Sequence, residues 1–252
     1  MKPRTVLVTG ASSGLGRAMA LEFAAQGAYV AVTARRLPLL EELAQEIRTR
    51  GGHAVPLAFD VQDAAAVAET VKRAEQELGS LDMIVANAGV GSAGHASTLK
   101  WADVDEVLAV NVRGALATLL AGVPIMLAQQ RGHLVAISSL AGRRGLPGSG
   151  AYGASKAALS SFVETLRLDL AHAGIHVTDV QPGFIATPMN ENTPRPTPFK
   201  WPVERAARTI VRRLAKNPAV ISFPWPLDLL TSFARLLPTW AYGPLLRSTQ
   251  GR

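Results

Sequence analysis

Tyr152 and Lys156 stand four residues apart in the run Tyr-Gly-Ala-Ser-Lys, and Ser139 lies thirteen positions upstream of the tyrosine. Residues 154–172 have a helix-forming composition, so the pair falls at the head of a helix, with both side chains on one face and one turn apart. A phenol beside a fixed ammonium is an acid with a purpose. Free tyrosine holds its proton to a pKa of about 10, and a neighbouring positive charge lowers that value. Making it a hundredfold to a thousandfold stronger acid takes roughly 3 to 4 kcal/mol of electrostatic help. A hydroxyl from a separate segment, Ser139, could then hydrogen-bond a substrate oxygen and hold it near the phenol, the geometry that general acid or base catalysis at an oxygen requires. Taken alone, a tyrosine with a lysine four residues on is also an ordinary helix-surface pair.

The elements that would position these groups begin at the amino end. Thr5-Val-Leu-Val-Thr9 is a β-branched, apolar run, followed by Gly10, Ser12, Ser13, Gly14, Leu15 and Gly16, and then by a segment of helical periodicity. That order reads strand, tight turn, helix. The three glycines let the backbone come close to a pyrophosphate, whose charge is favoured by the free amides and positive end of the helix. The spacing is neither the common G-x-G-x-x-G fingerprint nor a Walker loop, and a plain glycine-rich turn is the alternative. Further strand signals near residues 28, 54, 82, 132, 175 and 219 alternate with helical stretches. Crossover connections and a parallel sheet of about seven strands follow: an α/β, doubly wound, Rossmann-type three-layer sandwich with its ligand beyond the carboxyl ends of the strands. Residues 105–130 read as one long helix, with a bend or break expected at Gly122 and Pro124.

The set Thr9-Gly-x-x-x-Gly-x-Gly16, Asn87-Ala88-Gly89, Asn111, Ser139, Tyr152-x-x-x-Lys156 and Pro182-Gly183 with Thr187 resembles the short-chain dehydrogenase/reductase superfamily in its compact single-domain branch. The resemblance runs from about Thr5 to about Thr187, with every motif in the expected order. It implies hydride transfer to or from a nicotinamide, with the pro-S hydride used. Tyr152 would be the general acid or base, and Ser139 would orient the carbonyl. Lys156 would hold the nicotinamide ribose and lower the tyrosine pKa, while Asn111 anchors a water in a proton relay. Asn87, Ala88 and Gly89 would close the adenine side of the cleft, Asp60 and Val61 would contact the adenine, and Pro182, Gly183, Ile185 and Thr187 would meet the nicotinamide end.

Charge points to the coenzyme. The second strand, residues 29–34, ends in Ala34 and then Arg35-Arg36, where an adenosine ribose would lie. An acidic group there suits the ribose hydroxyls of NAD, whereas arginine suits a 2′-phosphate, so NADP(H) is expected in preference to NAD(H). Ser13 stands where many NADPH-using relatives carry a second basic residue. Solvation of a loop is the plain alternative for the two arginines.

The chain has 252 residues, 48% of them apolar, and no linker or low-complexity block divides it, so a single domain over residues 1–252 is expected. Residues 188–202 would form a substrate lid and residues 219–252 an apolar carboxyl-terminal extension. Without cysteine there is no disulfide or thiolate site, and Gly174 between His172 and His176 argues against a metal; none is expected. The amino end enters the first strand at once, so no signal peptide and a cytoplasmic location are expected. The net charge of +7 includes a stripe of Arg205, Arg208, Arg212, Arg213 and Lys216, read as a solvated face and not as a nucleic-acid surface. Leu229, Leu230, Phe233, Leu236 and Leu237 recur at helical spacing in the extension. Three uses follow, in this order: cover for the chain's own cleft, a subunit contact, and last a peripheral membrane contact.

Leu140, Leu146, Phe184 and Met189 are candidate walls for a bulky, lipophilic carbonyl or alcohol substrate. The reaction expected is reduction of a ketone with NADPH. The alternatives are an alcohol-oxidising, epimerase or dehydratase member of the same family, and a non-catalytic NADPH sensor or scaffold. By the resemblance, the helices carrying Asn111 and Tyr152 would pair across a two-fold in a homodimer or homotetramer.

Overall fold

The computed structural model describes residues 4–91, 94–190 and 197–249. Its first half alternates β1 (Thr5–Thr9), α1 (Gly14–Ala25), β2 (Tyr29–Ala34), α2 (Leu37–Thr49), β3 (His53–Ala58), α3 (Ala64–Leu78) and β4 (Met83–Ala86). Its second half comprises α4 (Trp101–Leu108), a π-helical turn (Ala109–Gly114), α5 (Ala115–Gln129), β5 (Gly132–Ile137), a 3₁₀ turn (Leu140–Gly142), α6 (Gly150–Asp169) and β6 (Ile175–Pro182). The chain closes with β7 (Ile185–Ala186), β8 (Trp201–Pro202), α7 (Val203–Leu214), β9 (Val220–Phe223), α8 (Trp225–Leu236) and α9 (Thr239–Thr249).

Strands that are apolar on both faces must be covered on both faces, which is the condition of a parallel sheet. The main sheet runs β3-β2-β1-β4-β5-β6-β9, all pairs parallel. Alternation along each strand splits the core in two. Val6, Val8, Val30, Val32 and Val180 face α1, α2 and α7, whereas Leu7, Ala31, Ile84, Leu134 and Val177 face α3, α5 and α6. The strand order reverses between β1 and β4, so their carboxyl ends open a crevice there.

No break occurs at Gly122 and Pro124: α5 runs through both. Pro124 lies on the exposed face, and buried Gly122 lets the helix approach β4, since a Cβ there would lie 2.3 Å from Ile84 Cδ1. The irregularity falls earlier, at the π-helical turn that carries Asn111, where Gly114 passes so close to Val61 that a Cβ would lie 2.9 Å from its carbonyl oxygen. The apolar stretch Trp101–Gln129 is long enough to cross a bilayer, yet its inner face packs against β4, β5 and α3 as a core helix does. Helix α6 starts at Gly150, four residues before the expected head, so Tyr152 already lies within its first turn.

The carboxyl-terminal extension is a correction. Leu227 is buried, but Leu229, Leu230, Phe233 and Leu236 on α8 are exposed, Leu236 at 82%. The helix turns its polar side inward, with Asp228 paired to Arg143 at 2.7 Å, and leaves this apolar stripe outward, so the stripe does not cover the chain's own cleft. Leu227 and Pro224 reach inward against Gly183, and Ile221 and Phe223 of β9 are buried in the core.

His133 on β5 is buried, lies edge-on to His176, and meets Thr178 Oγ1 through Nε2 at 2.7 Å. The Thr178 hydroxyl donates to the Pro218 carbonyl oxygen, so the ring nitrogen is the donor to Thr178. Burial, and then His176, hold the His133 pKa down from 6.5 to about 3. Below 6.5 the unfolded chain takes up a proton that the folded chain refuses until about 3, so stability falls as pH drops through that window, by up to about 1.4 kcal/mol per pH unit. The urea midpoint of the wild type should therefore fall between pH 6.5 and 5 more steeply than that of His133→Gln; equal slopes would refute this assignment.

Candidate active site

The crevice is braced from both of its strands. Thr9 Oγ1 at the end of β1 accepts the backbone N–H groups of Asn87 and Ala88, each at 3.0 Å, and Asn87 Nδ2 donates back to the Thr9 carbonyl oxygen at 2.8 Å. This cross-link holds the Asn87-Ala88-Gly89 segment beside the glycine loop. Gly10, at φ +67°, lies where a Cβ would be 2.8 Å from Ala88 Cα, and a Cβ on Gly16 would be 2.4 Å from both the Gly10 carbonyl oxygen and Asn87 Nδ2. No larger residue fits without opening the loop. Helix α1 begins here with no side-chain cap from Ser13 and no acidic residue in its first turn. Its amino end is electropositive and turned towards the cleft, which fits a bound pyrophosphate.

At the end of β2, Arg36 Nη2 donates to Ser12 Oγ at 3.0 Å, and Arg35 lies 3.9 Å from Asp60 Oδ2. Two guanidinium groups thus flank the loop, one of them oriented by a loop hydroxyl.

At the end of β5, Ser139 Oγ accepts the Ala141 N–H at 3.1 Å and donates to the Pro182 carbonyl oxygen at 3.3 Å. It lines the same end of the cleft as the Tyr152 phenol and favours the phenol's ionised form. Lys156 Nζ donates to the Ile137 carbonyl oxygen at 2.8 Å and lies 5.7 Å from the Tyr152 ring centroid. Asn111, fully buried, sits behind these groups and not in the cleft wall. Its side chain bonds the N–H and carbonyl of Val90 at 2.8 and 2.9 Å and reaches Ser155 Oγ at 3.1 Å, while Ser155 donates to the Tyr152 carbonyl oxygen. The π-helical turn therefore ties the Gly89-Val90 segment to the first turn of α6.

Burial dominates the protonation states. It pushes the Tyr152 phenol up from 10, against the opposing pull of the Ser139 hydroxyl, and it brings Lys156 down from 10.5 to about 8, against the opposing field of Asp179. The net direction for Tyr152 in the protein alone is upward, because burial penalises the phenolate more than the Ser139 hydroxyl rewards it. Tyr152 is thus a neutral hydroxyl near pH 7, a proton donor at the floor of the cleft.

The cleft encloses about 460 Å³. Gly10, Ser12, Ser13, Gly14, Leu15, Gly16, Arg35, Arg36, Asp60, Val61, Asn87, Ala88 and Gly89 line one end, and Ser139, Tyr152, Lys156, Pro182, Gly183, Ile185 and Thr187 the other. Ala34, Phe59, Val90, Val110, Ile137, Ser138 and Pro188 also line it. Sequence reading missed them, although most adjoin a motif residue and carried only their adjacency as a signal. Of the four expected apolar walls, Met189 alone lines this cleft, close to Gly91. Leu140 is buried in the 3₁₀ turn, Leu146 is exposed, and Phe184 lies outside the lining because β7 turns Ile185 inward instead. Of the expected lid, residues 191–196 lie outside the described residues; Pro188–Asn190 form a 3₁₀ turn, and β8 pairs with β7. No metal-binding cluster occurs among the described residues.

The parallel sheet and the glycine turn at its switch point define a dinucleotide-binding fold, with a phenol and an ammonium at the other end of the cleft. The sequence matches the short chain dehydrogenase family over residues 4–197. It is 44% identical over 238 residues to an uncharacterized oxidoreductase of Myxococcus xanthus, covering 94% of each chain. A short-chain dehydrogenase/reductase of Burkholderia phymatum in complex with NAD superposes with a TM-score of 0.84 at 26% identity, over 92% of each chain. A 3-ketoacyl-ACP reductase of Sinorhizobium meliloti does so with a TM-score of 0.81 at 34% identity, over 90% of this chain and 99% of that one. The chain belongs to the short-chain dehydrogenase/reductase superfamily, and is an oxidoreductase of that family.

Gly16→Ala should weaken dinucleotide binding at least about tenfold in a fluorescence titration, because the added methyl must displace Asn87 or the Gly10 carbonyl. Gly150→Ala, which meets nothing within 4 Å, should leave it unchanged; equal affinity in both variants would contradict the close-approach argument.

Proposed function

We propose that this protein reduces a ketone to an alcohol with NADPH. The observation that carries the reading is a neutral, half-buried phenol that shares one end of the cleft with Ser139 and Lys156, opposite two arginines. A bound nicotinamide supplies the hydride. Ser139 holds the carbonyl oxygen, and Tyr152 gives its proton to that oxygen as negative charge develops there. Lys156, its ammonium near the ring, steadies the phenolate left behind. A dry site that keeps the phenol protonated favours reduction, since oxidation would need the phenolate first. Asn111, by holding Gly89-Val90 to α6, keeps the donor and the coenzyme segment in register.

Arg36, oriented by Ser12, and Arg35 support NADPH over NADH, because a planar guanidinium pairs well with a 2′-phosphate. The likeness to a 3-ketoacyl-ACP reductase supports a carbonyl substrate, and Met189, Pro188 and Val90 in the lining support one with an apolar body. Exposed Leu120 and Leu127 on α5 and Leu168 on α6 support a homo-oligomer paired through that face.

The test is coenzyme oxidation with NADPH and separately NADH against a panel of aliphatic, aryl and cyclic ketones. Wild type is expected to prefer NADPH. Arg36→Ala should lower kcat/KM for NADPH by roughly 10- to 100-fold, the loss of one charge-assisted contact, while leaving NADH within about twofold. Equal losses with both coenzymes would overturn the 2′-phosphate assignment, and no turnover of any ketone would overturn the reductase reading.

A further inference from the structure

Asp179 is a buried carboxylate that neither the glycine loop, the proton donor nor the arginine pair accounts for. It is 3% exposed on β6, and among the described residues it has no ion pair within 4 Å. An uncompensated buried charge is costly, so its surroundings must repay it. Alternation along β6 puts Asp179 and Gln181 on the side of Val177, the face that packs against α6, which carries Lys156.

On that face the carboxylate joins a chain of polar contacts. One oxygen accepts the Ser138 hydroxyl, and the other accepts Gln181 Nε2 at 2.6 Å. Gln181 Oε1 accepts Arg143 Nε at 2.8 Å, and Arg143 in turn is paired with Asp228 and donates to Thr231 and Ser232 of α8. Three consecutive residues at the end of β5 are thus gripped in turn: the Ile137 carbonyl by Lys156, the Ser138 hydroxyl by Asp179, and the Ser139 hydroxyl by the Pro182 carbonyl. The ionisable groups around this point are Lys156, Tyr152 and Arg167 from α6, Asp179 from β6, Arg143 from the loop after β5 and Asp228 from α8. Arg143 and Asp228 neutralise each other, and Arg167 is half-buried and bonded to the Val177 and Ala219 carbonyl oxygens, which leaves Lys156 and Asp179 as the opposed buried charges.

We propose that Asp179 is a positioning residue for the reaction, fixing Ser138 so that Ser139 is held in place and serving as the counter-charge of the Lys156 ammonium. The proposal rests on the reading of Lys156 as the cation of the hydride-transfer site. In an interior of low effective dielectric, a carboxylate acts on an ammonium beyond hydrogen-bond range. The field of Asp179 does oppose the downward pull of burial on Lys156. Without it, the ammonium would be lost at a lower pH, and the alkaline limb of activity would move with it.

The experiment is a titration of ¹³Cε-labelled lysine by NMR, with the Lys156 signal assigned through Lys156→Arg, run on wild type, Asp179→Asn and Asp179→Thr beside the pH profile of kcat/KM. Asp179→Asn keeps an acceptor for Ser138 and removes only the charge; the Lys156 midpoint should fall by about one pH unit, as should the alkaline limb. Asp179→Thr also removes the charge, keeps an oxygen for Ser138 and suits a strand, and should lower the midpoint likewise, so the proposal stays testable if the first variant folds poorly. A midpoint unmoved in both variants, or a loss of activity equal at every pH, would overturn it. If wild type shows no reductase turnover, the reading of the reaction fails while the NMR titration still decides the role of Asp179.

Discussion

Lys156 is 4% exposed, and its ammonium hangs from the carbonyl oxygen of Ile137 in an interior that would rather hold it neutral. The depression of its pKa from 10.5 to about 8 corresponds to roughly 3 kcal/mol of preference against the charge. Much of the neighbouring architecture answers that cost. The carbonyl that receives it is free because the pairing of β5 with β4 ends one residue earlier, at Ala136, the helix that carries it is packed over β6, and the phenol one turn away stays protonated because burial disfavours its charged form as it does the lysine's. In the proposed reaction, burial sets both halves of a proton-transfer pair: a donor that keeps its proton until the substrate needs it, and a cation that lowers the cost of the anion afterwards.

The other end of the cleft depends on close approach instead of charge burial. The Thr9 hydroxyl and the Asn87 side chain stitch β1 to the segment after β4, and Gly10 and Gly16 are packed to distances that exclude a Cβ. With the loop fixed, the amino end of α1 and the two arginines after β2 present positive potential along one wall. The two ends share a cleft because the sheet reverses its strand order between β1 and β4, placing every carboxyl-terminal loop on one rim.

Much of this was legible in the sequence because it is local. The β-branched runs announced the seven strands of the sheet, and the four-residue step from Tyr152 to Lys156 announced a shared helix face. What was not legible depends on partners far along the chain. Pro124 does not break α5, on whose exposed face the carbonyl left without an N–H can reach water, while the irregularity at Asn111 falls where Gly114 meets Val61, about fifty residues away. Leu140, Leu146 and Phe184 are apolar and near the motifs, but the direction in which each points is set by the 3₁₀ turn and by β7, which spacing does not encode. The apolar stripe of α8 was read as cover for the cleft, yet Arg143 and Asp228 orient the helix the other way. Asp179 gave no signal at all, since a lone aspartate in a strand is unremarked until its partners are known.

The proposed reaction requires that hydride pass from the coenzyme to a carbonyl carbon in this cleft. Deuterium at the 4-pro-S or 4-pro-R position of NADPH, followed by mass spectrometry of the alcohol formed from an accepted ketone, measures that transfer. One deuterium on the carbinol carbon is expected from the pro-S-labelled coenzyme and none from the pro-R-labelled one. Alcohol that carries no deuterium from either coenzyme would refute direct hydride transfer.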